Sequence, residues 1–591
     1  MAIYRPDQAQ LSFGVESVQG ADAELLDGTP GSTYSHLEGA HAKGVTELTI
    51  STVTSGPFVV GEFVRIGAAI SGSASSTVSL LTVIPYEIRR IEYLTATTLK
   101  LDRPTAFPHA DNATVLEVTA ALGTTMADGG GNTVDISIPS ARFVAGSYAA
   151  VTVPDMAPTL EPKYFLGNTS KRNFTTLYKG QQTFAGSLPG VTLLNGWMLR
   201  FPIGKVRSGI TSGTTYGSGN ILLNGAAAKG DMIITVNGAG ATDTNLNVLD
   251  IIEITDQVNS FTGTYKISRV VDPLADGAVT TIFLETPLKE AYTDDSVVDV
   301  MLAANVSGGV FTHTITESNI LDTLTWHLRM LDTDEAYPFV RRSLGGMVDT
   351  MSIAASEGEM LQAGWDTMNF MDTLHNLEAQ DTSSTNIYTD SARNLPGFSL
   401  MSDIDETDID FPLTEPYYFS QGIVYIGGEG ATRQEFARIR DFSLSISNAT
   451  EPKYYVNSGR GGGRRKGPSE IREGRREYTF SATVALPDSE ATTGTGIGTA
   501  LELYKQLLLE GDYGNGAQGF NVRLEFIRGT SDTMTIDMPG DAVAATGLDE
   551  AGVFLRSAPL PITEDQMMQT SIDAVARNIK ITIVDGEPVY P

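Results

Sequence analysis

The chain has 591 residues, with 40 Lys+Arg against 71 Asp+Glu and a formal charge of −31, a balance that excludes binding to the outside of nucleic acid by a general basic surface. It contains no cysteine, so disulfide scaffolds, Cys–Zn sites, iron–sulfur clusters and thiol catalysis are excluded. Hydrophobic residues at 41% and charged residues at 19% mark a globular rather than a disordered chain, and the length allows about three to five domains.

No apolar run reaches the roughly 18 residues of a membrane helix, and the opening MAIYRPDQAQLSFG lacks a basic segment followed by an apolar core. Neither a membrane anchor nor a secretory signal is therefore expected. Only 13 of the 40 cations are lysines. Surplus carboxylates with few lysines keep a protein hydrated where salt screens charge, which suggests a halophilic host, although ordinary bacteria also make acidic proteins.

In chain order, the sequence reads as mainly β with few helices. Residues 1–38 read as an N-terminal arm. Residues 39–120 follow as a small accessory β-barrel, 121–205 as the first part of a β-sandwich body, 206–305 as a second accessory barrel inserted into that body, and 306–591 as its second part. Short alternating runs bounded by Gly, Pro, Asn or Asp carry the strand prediction: Thr133-Val-Asp-Ile-Ser-Ile138, Phe442-Ser-Leu-Ser-Ile446, Tyr478-Thr-Phe-Ser-Ala-Thr-Val484 and Ile579-Lys-Ile-Thr-Ile-Val584. The clearest helix is Gly498 to Leu509, with Leu501, Tyr504 and Leu508 on one face and Gly511 as a stop.

The two barrels are predicted from an internal repeat. Ala42-Lys-Gly44 with Leu48-Thr-Ile50, Phe63-Val-Arg-Ile66, Tyr86-Glu-Ile-Arg-Arg-Ile91, Thr98 to Pro104 and Val115-Leu-Glu-Val118 recur in order. Their counterparts are Ala228-Lys-Gly230 with Ile233-Ile-Thr-Val236, Ile251-Ile-Glu-Ile254, Tyr265-Lys-Ile-Ser-Arg-Val270, Thr281 to Pro287 and Val297-Val-Asp-Val300. About five strands in a segment of this length suit a small closed barrel, which leaves no exposed edge. A second, shorter repeat places Glu161-Pro-Lys-Tyr164 and Glu451-Pro-Lys-Tyr454 each before a polar, basic loop and an aromatic β-run, which points to a duplicated body domain.

Chemistry-bearing constellations are sparse. The six histidines form neither HExxH nor HxH; His313 with Glu317 is a weak pair, and His327 beside Trp326 suits packing. The acidic run Asp403-Ile-Asp405-Glu-Thr-Asp408-Ile-Asp410 has Asp408 where an EF-hand needs glycine, so a solvated loop is favoured over a calcium site. Gly494-Thr-Gly496-Ile-Gly498 fits neither GxGxxG nor a P-loop, and no GxSxG elbow is present. No catalytic residue, cofactor or metal is expected, and the chain reads as a non-enzyme. The strongest local anomaly is the stretch 460–476, where Arg460, Arg464, Arg465, Lys466, Arg472, Arg475 and Arg476 outnumber Glu470 and Glu473. Lacking interleaved aromatics for stacking on single strands, it reads as a loop that docks on the acidic surface of an identical neighbour.

The body resembles the major tail tube proteins of long, non-contractile tailed viruses, siphovirus-like phages or haloarchaeal tailed viruses. The residues that carry the resemblance are Leu11-Ser-Phe-Gly-Val-Glu16, Gly180 to Leu188 leading to Leu193-Leu-Asn-Gly196, Phe311-Thr-His-Thr-Ile315, Leu324-Thr-Trp326, Arg341 to Val348, Met351 to Gly358, Phe442 to Asn448 and Gly474-Arg-Arg-Glu-Tyr478. It implies β-sandwiches with a flanking helix whose sheets align in a ring to form an inner barrel. Such rings stack into a virion tail tube with an acidic channel, through which double-stranded DNA passes without lasting contact. With a duplicated body, trimeric rings with pseudo-sixfold symmetry are favoured over hexameric ones. The resemblance further implies synthesis in the host cytoplasm, and other tail proteins such as a tape measure, tail terminator and distal tail protein as partners. The basic residues at 460–476 are assigned to contacts between successive rings. Asp403, Asp405, Asp408, Asp410, Glu357 and Glu359 are assigned to the channel lining. The alternative is a surface or tail-associated receptor- or carbohydrate-binding protein that uses the barrels as binding modules.

Overall fold

The computed structural model describes residues 4–21, 29–54, 56–59, 63–67, 87–101, 103–120, 125–127, 133–135, 143–145, 152–163, 176–212, 221–238, 246, 250–271, 279–302, 309–332, 339–377, 409–410, 415–428, 434–435, 439–455, 467–485, 520–529, 532–540, 552–557 and 569–591. The fold is mainly β, as the alternating runs predict. The helix expected at 498–509 lies outside the described residues.

Strand β1 (Tyr4–Val15) precedes a first module of β2 (Thr29–His36), β3 (Glu47–Thr49), β4 (Phe63–Ile66), β5 (Glu87–Leu94), β6 (Thr98–Leu101) and β7 (Thr114–Ala120). A small ladder of β8 (Thr125–Ala127) and β9 (Thr133–Asp135) and strand β10 (Phe143–Ala145) lead to β11 (Thr152–Lys163), β12 (Thr176–Thr192), α1 (Arg200–Ile203) and β13 (Gly204–Ser212). The second module comprises β14 (Ile221–Leu223), β15 (Ile233–Gly238), β16 (Ile251–Asp256), β17 (Phe261–Val271), β18 (Val279–Leu284) and β19 (Val297–Leu302). The body resumes with β20 (Val310–Glu317), β21 (Leu324–Asp332), β22 (Phe339–Ser356), β23 (Gln362–Phe370), β24 (Asp372–Leu377), β25 (Ile409–Asp410), β26 (Gly422–Gly428), β27 (Gln434–Glu435) and β28 (Ile439–Ser447). It ends with β29 (Glu451–Lys453), β30 (Glu470–Arg472), β31 (Glu477–Ala485), β32 (Phe520–Arg528), β33 (Asp532–Met538), β34 (Val553–Ser557), β35 (Gln569–Ala576) and β36 (Lys580–Asp585).

The second module is a closed barrel in the order β14-β15-β18-β17-β16-β19. The first repeats that order strand for strand as β3-β6-β5-β4-β7-β2, but its last junction consists of the isolated bridges Leu37↔Ile50 and Tyr34↔Thr54 rather than a ladder. Its β2 comes from residues expected in the arm. The turns repeat too. Gly44 and Gly230, with φ of 84° and 82°, donate their amides to the Thr105 and Leu288 carbonyls. The Gly39 and Gly225 amides donate to Asp111 and Asp294, each at 2.7 Å. A left-handed backbone in both copies explains why glycine recurs there. Each module has its own apolar core, built around Val64, Ile91 and Leu99 in one and Ile252, Tyr265 and Ile282 in the other. Ser212 pairs with Val310 across the β13–β20 ladder, so the second module leaves and re-enters the body at one point.

In the body, the pairings β11–β12, β12–β23, β23–β22, β22–β28, β28–β31, β31–β35 and β35–β34 form one antiparallel run of eight strands. Its halves have the same plan: a hairpin (β11–β12, β28–β31), then a strand from later in the half (β23, β35), then that strand's predecessor (β22, β34). The Glu-Pro-Lys repeat closes β11 in one half and forms β29, directly after β28, in the other. Facing this run is a second sheet in the order β26-β32-β33-β36-β20-β13. Met351, Leu444, Phe480 and Ala574 from the first sheet share one core with Val206, Ile315, Ile536 and Ile581 from the second.

Strand β1, expected in the arm, belongs to this body: it pairs with β21 from Tyr4↔Asp332 to Val15↔Leu324. Phe13 meets Trp326 and Trp365 edge-on, each at 5.3 Å between ring centroids, and lies 5.8 Å from Trp197. All three tryptophans of the chain therefore converge on one N-terminal residue. Burying each such ring contributes about 1.5–3 kcal/mol.

Candidate functional site

Alternation along the eight-stranded run sends every second side chain away from the core. Gly364, Ser352, Ser445, Thr479 and Val575 form one cross-strand row on that outer face, and Gln362, Ala354, Ser443, Ser481 and Asp573 form the next. Apart from Gln362 and Val575 these positions are small, hydroxylic or acidic. Asp366, Asp441 and Glu477 extend the acidic set on β23, β28 and β31. Two exposed cations in these strands are paired with carboxylates, Arg556 of β34 with Glu477 and Arg440 of β28 with Glu357. Asp366 accepts a hydrogen bond from the Ser352 hydroxyl at 3.1 Å, and burial raises its carboxyl above the ordinary range. Carboxylates in excess of their paired cations repel a phosphate, and at about 0.1 M salt that repulsion extends about 10 Å from the surface. The signal for this face was present in the runs Phe442 to Ile446 and Tyr478 to Val484, whose polar residues occupy it. Which carboxylates join it depends on strand order, which no local pattern encodes.

Of the six residues assigned to the channel lining, the three described ones are not in the rows above. Glu357 and Glu359 are exposed in the turn between β22 and β23, at one end of the sheet, and Glu357 lies 3.3 Å from Arg440. Asp410 belongs to β25, which pairs in parallel with β10 outside the eight-stranded run. Asp403, Asp405 and Asp408 lie outside the described residues.

Arg460, Arg464, Arg465 and Lys466 also lie outside them. The rest of the basic stretch divides by partner. Arg472 is exposed and paired with Glu470, and Arg475 is exposed. Arg476 is fixed inside the body, donating to Asn448 Oδ1 at 2.7 Å and to the Ser318 carbonyl at 3.0 Å. The β29–β30 hairpin that frames this stretch is pinned from the N-terminal side, where the Gln19 side chain donates to and accepts from the Ile471 backbone.

Glu16, just before Gln19, has a fully buried carboxylate that accepts from the Gly20 and Gly345 amides and the Thr323 and Thr325 hydroxyls at 2.7–2.9 Å. Burial raises its carboxyl above the ordinary range in spite of these donors. The following residues touch both modules: Ser17 Oγ donates to the Ala106 carbonyl, Arg89 donates to the Ala21 carbonyl, and Gly230 lies against the Ser17 carbonyl. Residues 16–21 therefore form the junction of body, hairpin and modules.

One arrangement has the residue types of a hydrolase. Ser208 Oγ is 2.8 Å from His313 Nδ1, and His313 Nε2 is 3.4 Å from Asp585 Oδ1. All three are at most 1% exposed, Tyr590 stacks on the imidazole at 3.7 Å, and Nε2 donates to the Glu587 carbonyl. With the serine sealed from substrate, the cluster joins β13, β20 and the C-terminal residues instead. Among the described residues no group of three or more His, Asp or Glu side chains is placed to hold a metal ion, and no helix is long and apolar enough to cross a membrane. Neither a protein-family model nor a curated protein matches the chain.

Proposed function

We propose that the chain is a structural subunit of a viral tail tube, assembling side by side into rings whose inner wall is the outer face of the eight-stranded sheet. The observation that carries this reading is the two-times-four plan of that sheet. Its terminal strands, β11 and β34, run in opposite directions because eight antiparallel strands separate them by an odd number of steps. A copy of β34 can therefore meet β11 of the next copy antiparallel, continuing the pattern without a break. Three copies of eight strands would close a barrel of twenty-four with pseudo-sixfold symmetry, a heterologous contact that closes into a ring. Closure also satisfies sheet edges that would otherwise promote aggregation.

The composition of the inner wall supports passage of DNA: its carboxylates repel phosphates and leave the duplex free to slide. The modules are attached at the β13–β20 connection and around residues 16–21, away from that wall. Negative-stain electron microscopy of the purified chain at low and multimolar salt tests the proposal. Hollow rings or tubes are expected, and dispersed monomers at every salt and protein concentration would overturn it. A second reading, a receptor- or carbohydrate-binding protein, draws on Tyr93 of the first module, 43% exposed with the Lys100 ammonium 5.7 Å from its ring centre. Glycan arrays would address it.

A further inference from the structure

Eight large apolar side chains are exposed among the described residues, and five of them lie at the two ends of the body strands. Met360, Tyr418 and Ile527 are at one end. Met360 bridges Tyr418, the Phe419 amide donates to the Glu359 carbonyl, and Ile527 follows Phe526, which pairs with Gly422. Ile320 and Tyr455 are at the other end. The residue after Ile320 donates its amide to Glu473, and the Tyr455 hydroxyl donates to Glu470 at 2.7 Å. The register separates the two ends along one strand: Asp441 stands opposite Ser356, beside the Met360 turn, whereas Ser447 stands opposite Thr350, beside the β29 hairpin.

The ends differ in charge. Glu357 and Glu359 precede Met360 in its turn, and both are exposed. At the other end Arg472 of β30 and Arg475 just after it are exposed. An apolar patch next to exposed carboxylates at one end and an apolar pair near the exposed Arg472 and Arg475 at the other are complementary surfaces on a single chain. A surface complementary to a different surface of the same molecule makes a head-to-tail contact, which propagates along an axis.

We propose that these ends bind each other across copies, the Met360–Tyr418–Ile527 end of one ring receiving the Ile320–Tyr455 end of the ring stacked on it. The inference rests on the ring reading above and assigns Glu357 and Glu359 to ring stacking, not to the channel. It assigns the exposed cations Arg472 and Arg475 to the opposite side of the same interface.

The test is electron microscopy and sedimentation of the full chain carrying Glu357→Lys with Glu359→Lys. Both residues are exposed in a turn, and an unchanged thermal transition confirms folding. Single rings are expected to persist, with mean tube length reduced at least tenfold. Adding Arg472→Glu and Arg475→Glu should restore length. The milder Met360→Ser with Tyr418→Ser, which leaves every charge in place, should also shorten tubes. Tubes of normal length from both variants would overturn the stacking assignment and leave the ring reading intact. Loss of the rings themselves in the folded variants would overturn it by making the surface lateral. Absence of rings from the unaltered chain would overturn the ring reading and this inference together.

Discussion

The Lys43 ammonium lies 2.6 Å from the Asp231 carboxylate, joining the first module to the second. It also donates to the Lys229 carbonyl at 2.6 Å, and Lys229 occupies the position in the second module that Lys43 occupies in the first. Lys229 in turn lies 2.6 Å from Asp322 of the body, a carboxylate shared with Arg200. One repeated lysine thus docks each module on the next unit inward. Lys43→Ala is expected to loosen the first module by about 1–2 kcal/mol, more at low salt than at high. Hydrogen exchange should rise in β2–β7 and stay unchanged in β14–β19; equal protection in both proteins would contradict the docking role.

The glycines of the second module separate backbone strain from steric contact. Gly225 and Gly230 have φ of 96° and 82°, but a Cβ on Gly225 would meet nothing within 4 Å, whereas one on Gly230 would lie 2.4 Å from the Ser17 carbonyl. Gly225→Ala should cost about 1–2 kcal/mol from the left-handed backbone alone. Gly230→Ala should cost clearly more, because the junction at residues 16–21 must move. Thermal unfolding of the two variants measures the difference directly.

Acid should act on the first module through Glu87. Burial alone would raise this carboxyl, but the Arg89 guanidinium, His109 at 2.6 Å and the Ala106 amide hold it below its ordinary value of 4.5. A depressed folded-state value contributes stability that is present above pH 4.5 and lost as pH falls through the folded value. Glu16 has the opposite sign: its raised value favours folding at low pH, and that contribution is lost as pH rises from 4.5 through the folded value. Glu87→Gln leaves Arg89 buried without its counter-charge, a loss of about 3–5 kcal/mol near neutral pH. The same variant should flatten the acid limb of a stability–pH curve for the first module.

Because the chain has no cysteine, introduced thiols report contacts without background. Ser557→Cys at the end of β34, combined in turn with single cysteines along β11, should yield intermolecular disulfides at one register and not at its neighbours. A ladder ending at a covalent trimer would identify the ring as three copies. A ladder reaching six would favour the hexamer, and no cross-link at any register would remove the β34–β11 junction.

Much of the architecture was legible in the sequence, because periodicity and glycine placement are local properties. Five of the six strands of each module, with the Ala-Lys-Gly turns, follow from residues within a few positions of one another, whereas the first strand of each, β2 and β14, lies outside the repeat. The hydroxyl-lined face could be read from Phe442 to Ile446 and Tyr478 to Val484, since side chains in a strand alternate whatever the strand pairs with. Tertiary structure decided what each charge does. Glu16 is a buried acceptor because Thr323, Thr325 and Gly345 arrive from more than three hundred residues away. Arg472 is exposed while Arg476, four residues on, is enclosed by Asn448 and Ser318. Glu357 and Glu359 stand at a strand end and not on the sheet face, and Phe13 turns an expected arm into the centre of the aromatic core. A charge or a ring acquires its role from its neighbours, and those neighbours are set by strand order across the whole chain.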